Sequence, residues 1–413
     1  MVKDTDKRLI YIVSSFPCYS EAFILREMIE LKKRRVSIDI FSLRRLHEPI
    51  LQKEVLEFLP HTHYLPFVLS FRIWIDNLYW LLKAPVRYIG CLLDIVLGYI
   101  KEPVMLLKTL GIFPKAASFA KFVKNNRIRH IHAHFATHPT TAALIIHRLT
   151  QVPFTFSCHA HDIFYSTAFL EAKLLAAKWV FTVSQYNKEY IFKLFPRMDK
   201  NKLEILRSPA DCQKYNYRES QKQNQFIILS VGRLANMKGF FFLIEACASL
   251  KKEGLNFICY IVGDGPLRGT LQSLIKSNNL EKEVRLLGSI REEQLMEEYR
   301  RASVFVLPCV PAQDRDRQDG LPAVLVEAMA CGIPVISTSI SGIPELVINN
   351  ATGILVTPKD TKSLTEAIKA LYQDEALRFR LAQSARKKVE EECNIQKNVD
   401  RLMQVFFAIE EDV

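Results

Sequence analysis

Short runs of β-branched and aromatic residues alternate with amphipathic stretches along most of the chain. In the second half the strand-like runs are Phe226–Val231, Asn256–Val262, Val284–Leu287, Ser303–Leu307, Ile333–Ser337 and Gly353–Val356, each followed by a helix-like segment. Nearly continuous apolar strands separated by helices predict a parallel sheet covered by helices. One helix can be delimited closely. It starts near Gly239, carries Phe242, Leu243, Ala246 and Leu250 on one face, and stops at Lys251, Lys252 and Gly254, cations in the last turn with a glycine beyond. The first half shows the same alternation, with strands expected at Leu9–Ser14, Val36–Leu43, Arg129–Phe135, Phe154–His159, Trp179–Ser184 and Leu203–Leu206.

One stretch breaks the alternation. Between about 49 and 114 the chain is rich in Leu, Ile, Trp and Tyr and punctuated by Arg72, Asp76, Lys83, Arg87 and Asp94, which predicts two amphipathic helices inserted into the first domain. The polar segment from Arg207 to Gln225 reads as a linker. The expected organisation is a Rossmann-like domain over 1–206, a linker over 207–225, a second Rossmann-like domain over 226–385, and C-terminal helices over 386–413 that return to the first domain. A chain of 413 residues is long enough for two such cores.

Composition narrows the class. Hydrophobic residues make up 49% and charged residues 24%, which excludes collagen-like and largely disordered chains. Nine scattered cysteines with no Cys-x-x-Cys pair argue against a disulfide framework or zinc ribbon and point to a reducing compartment. The apolar run Leu9–Val13 is too short for a signal-peptide core, and no run of about 20 apolar residues spans a bilayer. The net charge of +12 is confined to one half: residues 1–210 carry 30 Lys+Arg against 17 Asp+Glu, and the remainder carries 26 against 27. Such a basic half suits an anionic membrane or a nucleic acid, and no nucleic-acid recognition motif accompanies it.

The residues with chemical potential fall at the expected carboxyl ends of strands, where open parallel sheets bind ligands. Gly232-Arg233-Leu234-Ala235-Asn236-Met237-Lys238-Gly239 follows a strand and precedes a helix, so two cations and a helix N-terminus can cradle a diphosphate. Val262-Gly263-Asp264-Gly265-Pro266 resembles a dinucleotide fingerprint with different spacing. The acidic residue expected at the end of the next strand is replaced by Leu287-Gly288-Ser289, which argues against NAD. In the run Asp319-Gly320-Leu321-Pro322-Ala323-Val324-Leu325-Val326-Glu327-Ala328-Met329-Ala330, Pro322 suits the first helical position, leaving the Gly320 and Leu321 amides available. Glu327 falls one and a half turns inside an otherwise apolar helix, where a buried carboxylate needs hydrogen-bond partners, for which a pair of ribose hydroxyls is suited.

This series, completed by Cys331-Gly332-Ile333-Pro334-Val335 and Ser341-Gly342-Ile343-Pro344-Glu345, resembles the family 4 retaining glycosyltransferases of GT-B fold, closest to the colanic acid and exopolysaccharide branch. The resemblance covers most of residues 8–390. It implies an α/β architecture of two Rossmann-like domains facing across a cleft. It also implies a metal-independent hexosyltransferase that takes a UDP- or GDP-linked sugar as substrate, needs no cofactor, and acts with retention on a glycan or lipid-linked glycan. Arg233 and Lys238 would hold the diphosphate, Glu327 the ribose, Asp319 with the Gly320 and Leu321 amides the sugar, and Gly288, Ser289 and Ile290 the base. His159 aligns with the histidine that contacts the sugar, with Asp162 as its supporter. Three positions depart from the family pattern: Asp319 stands where Glu is usual, the N-terminal Gly-Gly loop is replaced by a segment containing Ser20 and Glu21, and the linker reads Ser208-Pro209-Ala210-Asp211.

Two further readings compete. His132, His134, His159 and His161 form His-x-His pairs that on strands point to one face, and with an Asp they suit zinc in a hydrolase. A non-catalytic nucleotide-sugar-binding protein would keep the same motifs. Residues 71–129 hold ten Lys+Arg against three acids, interleaved with Trp74, Tyr79, Trp80 and Tyr88, which predicts peripheral contact with anionic lipid on the cytoplasmic face of the membrane.

Overall fold

A computed structural model describes residues 7–18, 21–46, 52–64, 70–215, 225–311 and 320–407. They fold into two compact units, one made of residues up to Val183, Lys188–Leu206 and the chain from Val399, the other of Ser184–Asn187 and Arg207–Asn398.

The first unit contains β1 (Arg8–Ser15), α1 (Ala22–Lys33), β2 (Ser37–Arg44), β3 (Thr62–Tyr64), α2 (Phe71–Lys83), α3 (Pro85–Tyr99), α4 (Pro103–Asn125), β4 (His130–His134), α5 (His138–Thr150), β5 (Phe154–Cys158), α6 (His161–Phe164), α7 (Leu170–Ala176), β6 (Trp179–Thr182), most of α8 (Gln185–Leu194) and β7 (Leu203–Ile205). All seven strands are parallel in the order β3-β2-β1-β4-β5-β6-β7. The order reverses between β1 and β4, which places a crevice beyond their carboxyl ends. Strands β1, β4 and β5 are buried almost throughout, as strands covered on both faces must be.

The stretch at 49–114 differs from the expectation of two helices. It contributes 3-10 turns, the edge strand β3, and then three helices, the last running on to Asn125 with Pro114 inside it. Helix α2 buries two polar side chains beside two apolar ones and exposes several large apolar residues. Its buried face holds Ile73, Asp76, Asn77 and Trp80. Asp76 accepts from Ser118 Oγ and from Lys121 Nζ at 2.7 Å, Asn77 Nδ2 donates to the Pro114 carbonyl at 3.0 Å, and Trp80 Nε1 donates to the Ala117 carbonyl at 2.8 Å. Its outer face is Phe71, Trp74, Ile75, Leu78 and Leu82, all exposed.

The second unit contains β8 (Phe226–Val231), α9 (Phe240–Lys252), β9 (Phe257–Val262), α10 (Arg268–Ser277), β10 (Val284–Gly288), α11 (Glu292–Arg301), β11 (Val304–Leu307), α12 (Ala323–Ala330), β12 (Val335–Thr338), α13 (Ile343–Leu346), β13 (Ile354–Val356), α14 (Thr361–Gln373) and α15 (Glu375–Glu392). Its six parallel strands run β10-β9-β8-β11-β12-β13, reversing between β8 and β11. The last helix, α16 (Ile395–Phe406), begins in this unit and ends in the first, where Phe406 lies 5.0 Å from the rings of His130 and His132.

Candidate functional site

In the second unit the loops beyond β8, β9 and β11 are locked together by glycines that admit no side chain. Gly239 has φ +69°, and a Cβ there would stand 1.9 Å from the Pro308 carbonyl oxygen. Gly263 has φ +133°, and a Cβ there would stand 2.0 Å from the Gly232 carbonyl oxygen. Backbone bonds close the seam: Gly232 N–H to Val262 O at 2.9 Å, Leu234 N–H to Asp264 O at 3.0 Å, and Val310 N–H to Met237 O at 2.9 Å. The Gly-Asp-Gly sequence therefore shapes the β8–α9 loop by close backbone approach. On that loop Arg233 is exposed and makes no ion pair among the described residues, and the half-buried Lys238 lays its aliphatic stem along Gly232. Gly288 closes β10 with φ +74° and accepts from Gly263 N–H at 2.9 Å; Ser289 beyond it is exposed and Ile290 half-buried.

The loop entering α12 is buried at Gly320 and Leu321, and the Gly320 carbonyl accepts from Gly342 N–H at 3.0 Å. Pro322 is one position earlier than expected: it is the extended capping residue, with ψ 122°, and the helix starts at Ala323. Asp319 lies outside the described residues. Glu327 is only 7% exposed, which excludes a carboxylate reaching water from a helix edge. A protein group takes part of the role expected for ribose, since the Tyr299 hydroxyl donates to Glu327 Oε2 at 3.0 Å. Burial, and then the carboxylate, push the Tyr299 hydroxyl well above its ordinary pKa, so it stays a donor. Nothing in the sequence around Tyr299, Glu298-Tyr299-Arg300-Arg301, marks it for this role. Glu345 has a structural task within the same unit: its carboxylate accepts from Gln185 N–H and Tyr186 N–H at 2.8 and 2.9 Å and pairs with Arg207 at 2.8 Å.

In the first unit His159 is half-buried just beyond β5, which ends one residue earlier than expected. Its ring lies 4.7 Å from Phe23 and 4.8 Å from Phe135 and stacks on His134. Asp162 supports it through the backbone and not through the ring. The buried carboxylate accepts from the His159 and Ala160 N–H groups, both at 2.9 Å, and from Ala136 N–H at 2.7 Å, tying the β4 and β5 ends together. Glu21 is the half-buried residue before α1, and Ser20 lies outside the described residues.

A buried polar chain that the sequence does not announce runs behind His159. Tyr11 donates its hydroxyl to Glu27 Oε1; Glu27 Oε1 lies 3.2 Å from His134 Nε2; and His134 Nδ1 lies 3.3 Å from His159 Nε2. A carboxylate can only accept, so His134 carries its proton on Nε2, and its Nδ1 in turn accepts from His159 Nε2–H. His159 Nδ1 is then an acceptor. Burial lowers the His159 pKa to about 4, with Asp162 and Glu27 pulling the other way and His134 adding to the fall, so the ring is neutral at physiological pH.

Glu27, His132 and His134 bring one potential metal-ligand atom each within 4.8 Å of one another. Hydrogen bonds account for these rings: His132 contacts Thr155 Oγ1 at 2.8 Å and Ser157 Oγ at 3.2 Å, and both His134 nitrogens are engaged as above. His161 lies apart from them in α6, packed on Tyr165, so the four expected histidines do not form one site.

Residues 21–214 match the domain described as Glycosyltransferase Family 4, and residues 213–388 match Glycosyl transferases group 1. The chain is 38% identical over 194 residues to the amylovoran biosynthesis glycosyltransferase AmsK of Erwinia amylovora, covering 47% of each. It is 41% identical over 170 residues to WcaL of Escherichia coli (strain K12), named for colanic acid biosynthesis, covering 41% of this chain and 42% of that one. The matched stretch thus spans about half the length of these curated relatives. Among solved structures, a glycosyltransferase from Rickettsia africae ESF-5 aligns with TM-score 0.71 at 16% identity over 99% of this chain and 100% of that one. Anabaena Alr3699/HepE, solved in complex with UDP-glucose, aligns with TM-score 0.71 at 15% identity over 97% of this chain and 100% of that one. Two parallel-sheet units of this kind are the GT-B fold, and the chain belongs to the glycosyltransferases in which a family 4 domain precedes a group 1 domain.

Proposed function

We propose that the chain is a metal-independent enzyme that moves a sugar from a UDP- or GDP-linked donor to a glycan or lipid-linked glycan, with retention, in exopolysaccharide synthesis. The observation that carries this reading is the arrangement at the carboxyl end of the second sheet: a glycine-locked loop presenting Arg233 and Lys238, together with a buried Glu327 held by Tyr299. The relatives named for amylovoran and colanic acid synthesis, and the neighbour solved with UDP-glucose, support the substrate class.

As the bond to the sugar breaks, negative charge grows on the bridging oxygen of the departing nucleoside diphosphate. Arg233 and Lys238 stabilise it by charge-assisted contacts without a metal ion. Glu327 accepts from a ribose hydroxyl, Gly288 to Ile290 adjoin the base, and Asp319 with the Gly320 and Leu321 amides holds the sugar. Neutral His159 contacts the sugar. The three outward-facing helices α2, α3 and α4 hold the enzyme on the cytoplasmic leaflet, where a lipid-linked acceptor resides.

A panel of UDP- and GDP-sugars tests the reading. One donor should release nucleoside diphosphate, with Glu327→Gln weakening donor affinity while the fold survives, and His159→Ala lowering turnover far more than nucleotide binding. Release of no nucleotide from any donor, or turnover abolished by EDTA and restored by zinc, would overturn it.

A further inference from the structure

Fourteen of the 22 exposed large hydrophobic residues among those described lie between Phe71 and Leu110. They form outward stripes on α2 (Phe71, Trp74, Ile75, Leu78, Leu82) and on α3 (Val86, Ile89, Leu93, Leu97), while Asp76 and Asn77 of α2 are turned inward onto α4. No helix among the described residues is long and apolar enough to cross a membrane. Where α2 hands over to α3, the stripe meets a surface cavity of about 400 Å³.

Four cations line that cavity, Lys83, Arg87, Lys124 and Arg127, and no carboxylate does; Trp80 and Leu149 are among its apolar walls. The four cations are exposed and none makes an ion pair among the described residues. The nearby acids are engaged elsewhere, Asp76 with Lys121 and Asp94 with Arg148. Lys124 is held in place by donating to the Tyr79 hydroxyl at 3.0 Å, with its ammonium 5.6 Å from the Trp80 ring. Lys83 and Lys124 sit in the last turns of their helices and suit the negative ends of those dipoles. Arg87 does not have that explanation. It lies in the first turn of α3, at the positive end of a 15-residue helix, an unfavourable place for a cation unless an anion joins it. Immediately beside these cations, Leu82 is 75% and Val86 84% exposed.

We propose that this cavity is a binding site for the phosphodiester headgroup of an anionic bilayer lipid. Leu82 and Val86 enter the acyl boundary while Lys83, Arg87, Lys124 and Arg127 close on the phosphate, as in helices that lie in the interface. Ile128 and Val152, which also line the cavity, precede the amino ends of β4 and β5, whereas His159 follows the carboxyl end of β5. Within the first unit the cavity thus lies at the opposite end of the sheet from His159. The headgroup site rests on the proposed docking of α2–α4 at the membrane and adds to it a specific, saturable lipid contact.

The test titrates the full chain with a short-chain phosphatidylglycerol below its micelle concentration, and in parallel floats it with phosphatidylcholine vesicles with and without phosphatidylglycerol. One saturating site is expected, weakened about tenfold or more by the double variant Lys83→Gln/Arg87→Gln, as loss of charge-assisted contacts requires. The double variant Lys101→Gln/Lys108→Gln removes the same charge from the same helical layer outside the cavity and should leave that site intact. Equal losses in the two variants, or equal binding of short-chain phosphatidylcholine, would overturn the site. So would inorganic phosphate binding as tightly as the lipid, which would make it a site for free anions. If the short-chain lipid saturates one site that only the cavity variant weakens, yet the wild type does not float with phosphatidylglycerol vesicles, the docking reading fails and the headgroup site stands.

Discussion

Glu327 and Tyr299 illustrate how a buried charge is retained. A carboxylate only 7% exposed costs several kcal/mol unless its oxygens are satisfied, and Tyr299, itself 1% exposed, supplies one donor. Tyr299→Phe keeps the packing and removes only that donor. It should destabilise the second unit by about 1–3 kcal/mol, the cost of an unsatisfied buried acceptor, which calorimetric melting can read. The chain from Tyr11 through Glu27 and His134 sets the proton on His159 Nε2 in the same way. Nitrogen NMR of labelled histidine should find that tautomer in the wild type and a mixture in Glu27→Gln, whose amide can donate as well as accept. An unchanged single tautomer in the variant would show that Glu27 does not direct the ring. The places of Glu327 inside α12 and of His159 just beyond β5 were legible from their motifs. Their partners were not, because Tyr299 is 28 residues from Glu327 and Glu27 is 107 from His134, and only the folded sheets bring them together.

At the scale of elements, the β8–α9 loop depends on Gly239. An L-residue there would adopt a left-handed conformation, costing roughly 1–2 kcal/mol, and its Cβ would also strike the Pro308 carbonyl. Gly239→Ala should therefore lower stability by more than the conformational cost and reduce nucleoside diphosphate affinity. Gly254→Ala, at φ +79° with open space around it, should show the conformational cost alone and keep the affinity. The buried parallel strands were readable because apolar β-branched runs have few other homes; Phe226–Val231 was located to the residue. The edge strand Thr62–Tyr64 was not, being three residues long and half-buried. In α2 the periodicity shows two faces but cannot say which is inside, because the inward face carries Asp76 and Asn77 and the outward one Phe71 and Trp74. Helix α4 passes through Pro114, where a proline normally argues for a boundary.

Across the whole molecule, the second unit provides the proposed donor-binding loops and the first carries four histidines with lowered pKa values. Burial lowers His130 to about 3, His138 and His159 to about 4, and His132 well below the ordinary value of 6.5. The unfolded chain takes up protons at these rings before the folded one does. Their stabilising effect is therefore complete above pH 6.5 and is lost as pH falls from there toward 4, by about 1.4 kcal/mol per pH unit for each ring that stays neutral in the fold. Melting temperatures should fall steeply between about pH 6.5 and pH 5, and His159→Asn should flatten that fall by one ring's share. The central claim, that Arg233 and Lys238 hold the diphosphate of a nucleotide-sugar, is tested most directly by calorimetric titration of the wild type, Arg233→Ala and Lys238→Ala with UDP and with GDP. Saturable binding of one of the two nucleotides is expected, weakened about tenfold or more in each variant; affinity unchanged in both variants, or no binding of either nucleotide to the wild type, would show that these two residues do not hold a diphosphate.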